Sequence, residues 1–109
     1  MKQWEILDYS FPHPVGKHPV VILTPNEPLA NPDLKEINVL IVTSVRVGYE
    51  PGKYDVMLNG ADGLDHLSRV RVFPIYQVAK IDLGGRRGAL SLTRQRAIAK
   101  KIREVYRLD

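Results

Sequence analysis

Two short groups of residues stand out for their chemistry. Lys17 and His18 set an ammonium beside an imidazole, the side chain that exchanges its proton near neutral pH. Thr43 and Ser44 set two hydroxyls side by side, each both donor and acceptor. The basic pair opens the apolar run His18-Pro19-Val20-Val21-Ile22-Leu23-Thr24-Pro25. The hydroxyl pair closes a second run, Asn38-Val39-Leu40-Ile41-Val42-Thr43-Ser44. Both runs are rich in β-branched residues and bounded by Pro, Asn or Gly, the pattern of strands buried in a small sheet. If these strands pair antiparallel, the start of the first and the end of the second meet at one end of the sheet.

The remaining elements must build that sheet. Trp4 to Tyr9 predicts a first strand, and the prolines and glycine of Ser10–Lys17 predict an exposed loop after it. Three prolines between Pro25 and Glu36 predict a long connection, with a helical turn at Asp33–Glu36. Glu50-Pro51-Gly52-Lys53 has the chemistry of a tight turn before a short strand, Tyr54–Leu58. Ser68–Phe73 alternates polar and apolar as a half-exposed strand does, Pro74 interrupts it, and Ile75–Ile81 resumes the sheet. Gly84–Gly88 reads as a flexible basic turn. From Ser91, a plausible N-cap, to Leu108 there is neither Gly nor Pro. Ile98, Ile102 and Val105 form one apolar stripe there, with Tyr106 beside it. The expected architecture is a single domain over residues 1–109, mostly β with a C-terminal α-helix, the strands forming a small, strongly bent barrel.

Composition narrows the chemistry. The 109 residues include no cysteine, so disulfides, thiolate catalysis and cysteine-ligated zinc are excluded. His13, His18 and His66 lack the spacing of metal ligands, and no cofactor is expected. The apolar runs are too short to span a membrane and the N-terminus lacks a signal-peptide pattern, so a cytoplasmic location is expected. Residues 1–79 carry seven Lys/Arg against nine Asp/Glu, whereas residues 80–109 carry nine against three. A basic C-terminal quarter on a near-neutral body suits an acidic partner, such as nucleic acid or an acidic polypeptide.

The order of these pieces resembles the MazF/PemK (Kid) family of toxins from type II toxin–antitoxin pairs. Members open with a Trp-containing strand ending in an acidic–aromatic pair and then proline, similar to Trp4, Asp8-Tyr9 and Pro12. A Gly/basic loop enters a strand of the form basic-Pro-Val-x-Val, matched by Gly16-Lys17-His18-Pro19-Val20-Val21-Ile22. Val42-Thr43-Ser44 matches the Thr-Ser end of the next strand. Gly63-Leu64 with Leu67-Ser68, then Gln77-Val78-Ala79-Lys80-Ile81-Asp82, then Gly88-Ala89-Leu90-Ser91 follow in the family's order. The likeness spans nearly the whole chain.

The resemblance implies an SH3-like (CcdB/PemK-like) barrel that forms a homodimer and cleaves single-stranded RNA without a metal, its 2′-hydroxyl attacking the adjacent phosphorus. A cognate antitoxin with an acidic tail would cover the RNA groove. The resemblance places His18, Thr43 and Ser44 at catalytic positions and Gln77 at a matching substrate position, while Lys17 and Tyr76 are RNA-binding candidates by their chemistry and Arg46, like Arg69 and Arg71, by its place on or near a strand, where it could track a phosphate backbone. Three family positions differ: an arginine is replaced by His18, an acid by Tyr76 and a second arginine by Ala79. On this reading His18 works as acid or base, Lys17 supplies the missing positive charge, Thr43 and Ser44 donate to phosphoryl oxygens, Gln77 positions substrate and Tyr76 stacks on a base or packs in the barrel. Two alternatives stand beside it on the same fold: a non-catalytic RNA-binding protein and a CcdB-like poison of DNA gyrase. The gyrase version relies on a C-terminal Trp, whereas the one tryptophan here is Trp4.

Overall fold

The computed structural model describes residues 1–108. Seven strands form one antiparallel sheet: β1 Glu5–Phe11, β2 Gly16–Ile22, β3 Glu36–Ser44, β4 Asp55–Leu58, β5 Ser68–Arg71, β6 Tyr76–Ala79 and β7 Leu83–Ala89. A single-turn helix, α1 (Asn26–Leu29), links β2 to β3, and the long helix α2 (Leu92–Tyr106) closes the chain. The hydrogen-bonded path runs β4-β5-β3-β2-β1-β7, with β6 pairing β3 off that path. Its ends, β4 and β7, do not meet. The expected barrel is therefore an open, bent sheet rather than a closed cylinder.

The bend follows from β3, which serves three partners. Glu36–Val39 pairs with β6, Val39–Ile41 with β2, and Val42–Ser44 with β5. Its side chains alternate between two cores. Leu40 and Val42 join Ile6, Val21, Leu58, Val70 and Ile98 under α2, and Ile37, Val39 and Ile41 join Leu7, Phe11, Val20, Ile22 and Val78 on the other face. A strand buried on both faces has no polar alternation, which accounts for its unbroken apolar run. In α2 the predicted N-cap holds: the Ser91 hydroxyl accepts from the Arg94 N–H. Ile98 is fully buried, with Ile102 and Val105 packed beside it.

Three local expectations are corrected. The predicted loop over Ser10–Lys17 is only the turn Pro12–Val15, because β1 and β2 pair as a hairpin in which Ser10 meets Lys17 and Phe11 meets Gly16. Lys17 thus lies within β2, beside His18, and not in a loop ahead of it. The helical turn forms at Asn26–Leu29 rather than Asp33–Glu36, where Lys80 Nζ donates to the Leu29 and Asn31 carbonyls and closes the turn. The supposed flexible turn Gly84–Gly88 is part of β7, paired along β1 with two register shifts. Its glycines carry no pattern of their own, but a side chain would not fit at Gly88. A Cβ there would lie 2.8 Å from the Asp62 carbonyl oxygen, and one on Gly63, where φ is +86°, would lie 2.5 Å from that of Arg87. The loop between β4 and β5 thereby rests directly on the β7 backbone.

Candidate RNA-binding cleft

Pairing of β2 with β3 ends at Val20, beside Pro19, which has no N–H to offer a neighbouring strand. Beyond that point β3 pairs with β5 instead. A cleft of about 300 Å³ occupies the seam, with Lys17, His18 and Pro19 on one wall and Val42 and Ser44 on another. The loop after β4 adds Asp65 and His66, β5 adds Ser68, and β7 adds Arg87. Ser44 also lies in two adjoining depressions, one with Arg46 and His66 and one with Arg46, Tyr49 and Arg69. The result is a groove running over Ser44 whose side chains are mainly cationic or hydroxylic.

One acid beside the groove and one in its lining hold its cations in place. Arg87 Nε donates to Asp8 Oδ1 at 3.0 Å and Arg87 Nη1 to Asp65 Oδ2 at 3.0 Å, and Lys17 Nζ lies 3.7 Å from Asp8 Oδ2. Its hydrogen bonds to Asp8 and then to Asp65 raise the Arg87 pKa above its already high ordinary value, so its charge is permanent. On the far side, the buried Asp55 carboxylate accepts from the Tyr49 hydroxyl at 2.6 Å and from the Gly52 N–H at 2.9 Å, with Arg69 Nη1 at 3.4 Å. Burial pushes this carboxyl up, yet those donors outweigh it and leave it below its ordinary value. The bonds tie the Tyr49 end of the β3–β4 connection to the sheet.

His18 has a defined tautomer. Its Nε2 lies 3.1 Å from the Val15 carbonyl oxygen, which can only accept, so Nε2 carries the proton. Nδ1 of the neutral ring is then the basic nitrogen. The Phe11 ring lies edge-on to the imidazole at 6.3 Å and steadies it from the core side.

Of the residues singled out in the sequence, the structure gathers Lys17, His18, Ser44 and Arg46 along this groove. Thr43 pairs with Arg69 and alternates to the face opposite Val42 and Ser44, and it does not line the cleft. Tyr76 packs its ring 5.2 Å from Phe11 and belongs to the second core, the packing alternative for that residue. Gln77 is exposed on β6, opposite Asn38 and away from the groove. Sequence reasoning missed a role for His66, Asp65 and above all Arg87. The signal for Arg87 was a basic residue between glycines, Gly85-Arg86-Arg87-Gly88, which reads as a turn until β1 is known to pair with it. Among the described residues no group of three or more His, Asp or Glu could hold a metal ion, and no helix is long and apolar enough to cross a membrane.

The family described as PemK-like, MazF-like toxin of type II toxin-antitoxin system matches residues 2–106. No curated protein sequence matches the chain. Among solved structures, the fold is similar to the Mycobacterium tuberculosis toxin MazF-mt6, with TM-score 0.81, 24% identity, and 96% of this chain and 98% of that one covered. It is also similar to an endoribonuclease in complex with its cognate antitoxin from a mycobacterial species, with TM-score 0.84, 16% identity, and 100% and 97% covered. A further mycobacterial endoribonuclease aligns with TM-score 0.75 and 15% identity over 97% of this chain and 90% of its own.

Proposed function

The chain belongs to the PemK-like, MazF-like toxin family, and from that premise we propose that it is an endoribonuclease that cleaves single-stranded RNA without a metal. The observation that carries this reading is the gathering of Lys17, His18, Ser44, His66 and Arg87 around one cleft. Cleavage by this route needs a base for the 2′-hydroxyl proton, positive charge at the non-bridging phosphoryl oxygens and an acid for the departing 5′-oxygen. The 2′-oxygen bonds to phosphorus, the bond from phosphorus to the 5′-oxygen breaks, and a cyclic phosphate and a 5′-hydroxyl remain.

Two histidines face the cleft from different elements, so one takes a proton while the other gives one. His18 Nδ1 is the base, and the Val15 carbonyl, accepting from Nε2, stabilises the imidazolium that results. His66 is the acid. Lys17 and Arg87 hold the phosphoryl oxygens, prearranged by Asp8, and Ser44 donates a third hydrogen bond. Arg87 supplies from β7 the cation that the family carries at the His18 position. Arg46 and Arg69 track the backbone beyond the cleft. Thr43, Tyr76 and Gln77 contribute from the sheet around it, Thr43 behind Ser44 and the other two through β6. A homodimer and a cognate antitoxin with an acidic tail complete the proposal; one of the structural relatives is itself a complex with its antitoxin.

The test is a cleavage time course on long single-stranded RNA in EDTA, wild type beside His18→Ala. Cleavage leaving cyclic phosphate ends and reduced about 10²–10⁴-fold in the variant is the expected result. Equal cleavage by both would discard His18 as the base. RNA binding by folded wild type without any cleavage would replace the enzyme with a non-catalytic binding protein.

A further inference from the structure

Strand β5 runs on past the cleft. Val70 points into the core, so Arg69 and Arg71 point away from it. Ser68 lines the main cleft and Arg69 the adjoining depression. The Arg71 guanidinium lies 5.9 Å from the centre of the Tyr54 ring, and Lys53 Nζ lies 5.0 Å from the same centre. Tyr54 in turn contacts Phe73 at 5.2 Å, and Phe73 contacts Tyr106 at 6.2 Å. Despite two ring neighbours, Phe73 is 47% exposed. Beside this cluster is a shallow cleft of about 410 Å³ in which Lys53, Lys101 and Arg107 outnumber the acid Glu104. Neither Lys53 nor Lys101 forms an ion pair among the described residues.

An open aromatic face flanked by unpaired cations is the chemistry that holds single-stranded nucleic acid, through base stacking and phosphate contact together. An acidic peptide would satisfy the lysines but leave the Phe73 ring unused. We propose that Lys53, Tyr54, Phe73 and Lys101 form a second binding site, which takes nucleotides of single-stranded RNA flanking the cleaved bond. It rests on the ribonuclease reading and extends it. At about 3.3 Å per residue, β5 and its continuation separate Phe73 from Ser68 by about 17 Å, so the site serves long substrates that turn over the edge of the sheet and is out of reach of short ones.

The experiment compares fluorescent 2′-O-methylated RNA oligomers of mixed sequence, about 6 and about 24 nucleotides long, which bind without being cleaved. Anisotropy titrations over a salt series give affinity and salt slope for wild type, Lys53→Ala/Lys101→Ala and Phe73→Ala. The double variant removes an exposed and a half-buried charge and no core side chain, so it reports even if Phe73→Ala fails to fold. Expected for the double variant is about a tenfold loss confined to the longer oligomer, with the salt slope reduced by about 1.4, the value for two lost phosphate contacts on a single strand. Unchanged binding of the longer oligomer, or equal loss on both lengths, would overturn the second site. So would unaltered RNA binding accompanied by lost binding of polyglutamate, which would make the surface a protein-docking one. Wild type that binds neither oligomer would sink the ribonuclease reading, and this site with it.

Discussion

Asp8 on β1 and Arg87 on β7 are joined by a 3.0 Å hydrogen bond from Arg87 Nε to Asp8 Oδ1, between residues 79 positions apart. The second oxygen of the same carboxylate lies 3.7 Å from Lys17 Nζ on β2. One acid on the middle strand of three therefore sets the spacing of both cations on the cleft wall. Cations held in advance stabilise developing phosphoryl charge without having to reorganise at the moment of reaction.

Asp8→Asn keeps the shape of that side chain and removes its charge. Cleavage is expected to fall about tenfold, equivalent to about 1.4 kcal/mol of transition-state stabilisation. The melting temperature should move by only a few degrees, because partly exposed ion pairs contribute about 1 kcal/mol or less. Kinetics and thermal melting on the same preparation check this. Wild-type cleavage by the variant would remove Asp8 as a positioning residue.

Gly63→Ala and Gly88→Ala both drive a methyl into backbone across the contact between the β4–β5 loop and β7. At Gly63 the positive φ adds strain of its own. Each is expected to cost about 1–3 kcal/mol in urea unfolding. The substitutions also shift the loop that carries Asp65 and His66, so cleavage per folded molecule should drop as well. Gly85→Ala, which meets nothing within 4 Å, should do neither.

Asp55 makes stability depend on acid. Its folded pKa lies below the ordinary 3.8, so on acidification the unfolded chain takes up the proton first. Its contribution is complete well above pH 3.8, shrinks as pH falls through that value, and is gone below the lower folded value. Urea midpoints between about pH 5 and pH 2 should fall less steeply for Asp55→Asn than for wild type. The variant should also be less stable near neutral pH by about 2–3 kcal/mol, since Arg69 and Arg71 lose their buried partner.

Ile98→Ala tests the helix against the site. Ile98 is fully buried where α2 meets the sheet, so the expected loss is about 2–4 kcal/mol. The residue does not itself line the cleft. Cleavage per folded molecule should therefore match wild type when assayed well below the lowered melting temperature.

How much was legible in advance tracks how local the cause is. The cores of β2 and β3 were readable because a strand buried on both faces must be apolar throughout. The helix was readable because Ser91 caps it and the stripe from Ile98 to Val105 repeats along one face. The β1–β2 hairpin was taken for a loop because its two prolines sit in a turn only four residues long and its glycine opens β2. β7 was invisible because glycines carry no hydrophobic pattern; it is a strand because β1 offers it an edge and the Asp62–Gly63 backbone leaves no room for a side chain.

The same division runs through the site. Residue types and order alone determined that Lys17 and His18 open one buried strand and that Thr43 and Ser44 close another, ends that meet if the strands pair antiparallel, and they carried the family resemblance. Only the tertiary structure decided the face each presents and the company it keeps. Period-two alternation turns Thr43 away while Ser44 faces the cleft, and the pairing of β6 with the first half of β3 carries Tyr76 and Gln77 off the groove. Arg87 and His66 arrive from segments distant in sequence. Chain order records neighbours along the backbone, whereas a cleft is made where strands part, and that depends on every pairing in the sheet at once.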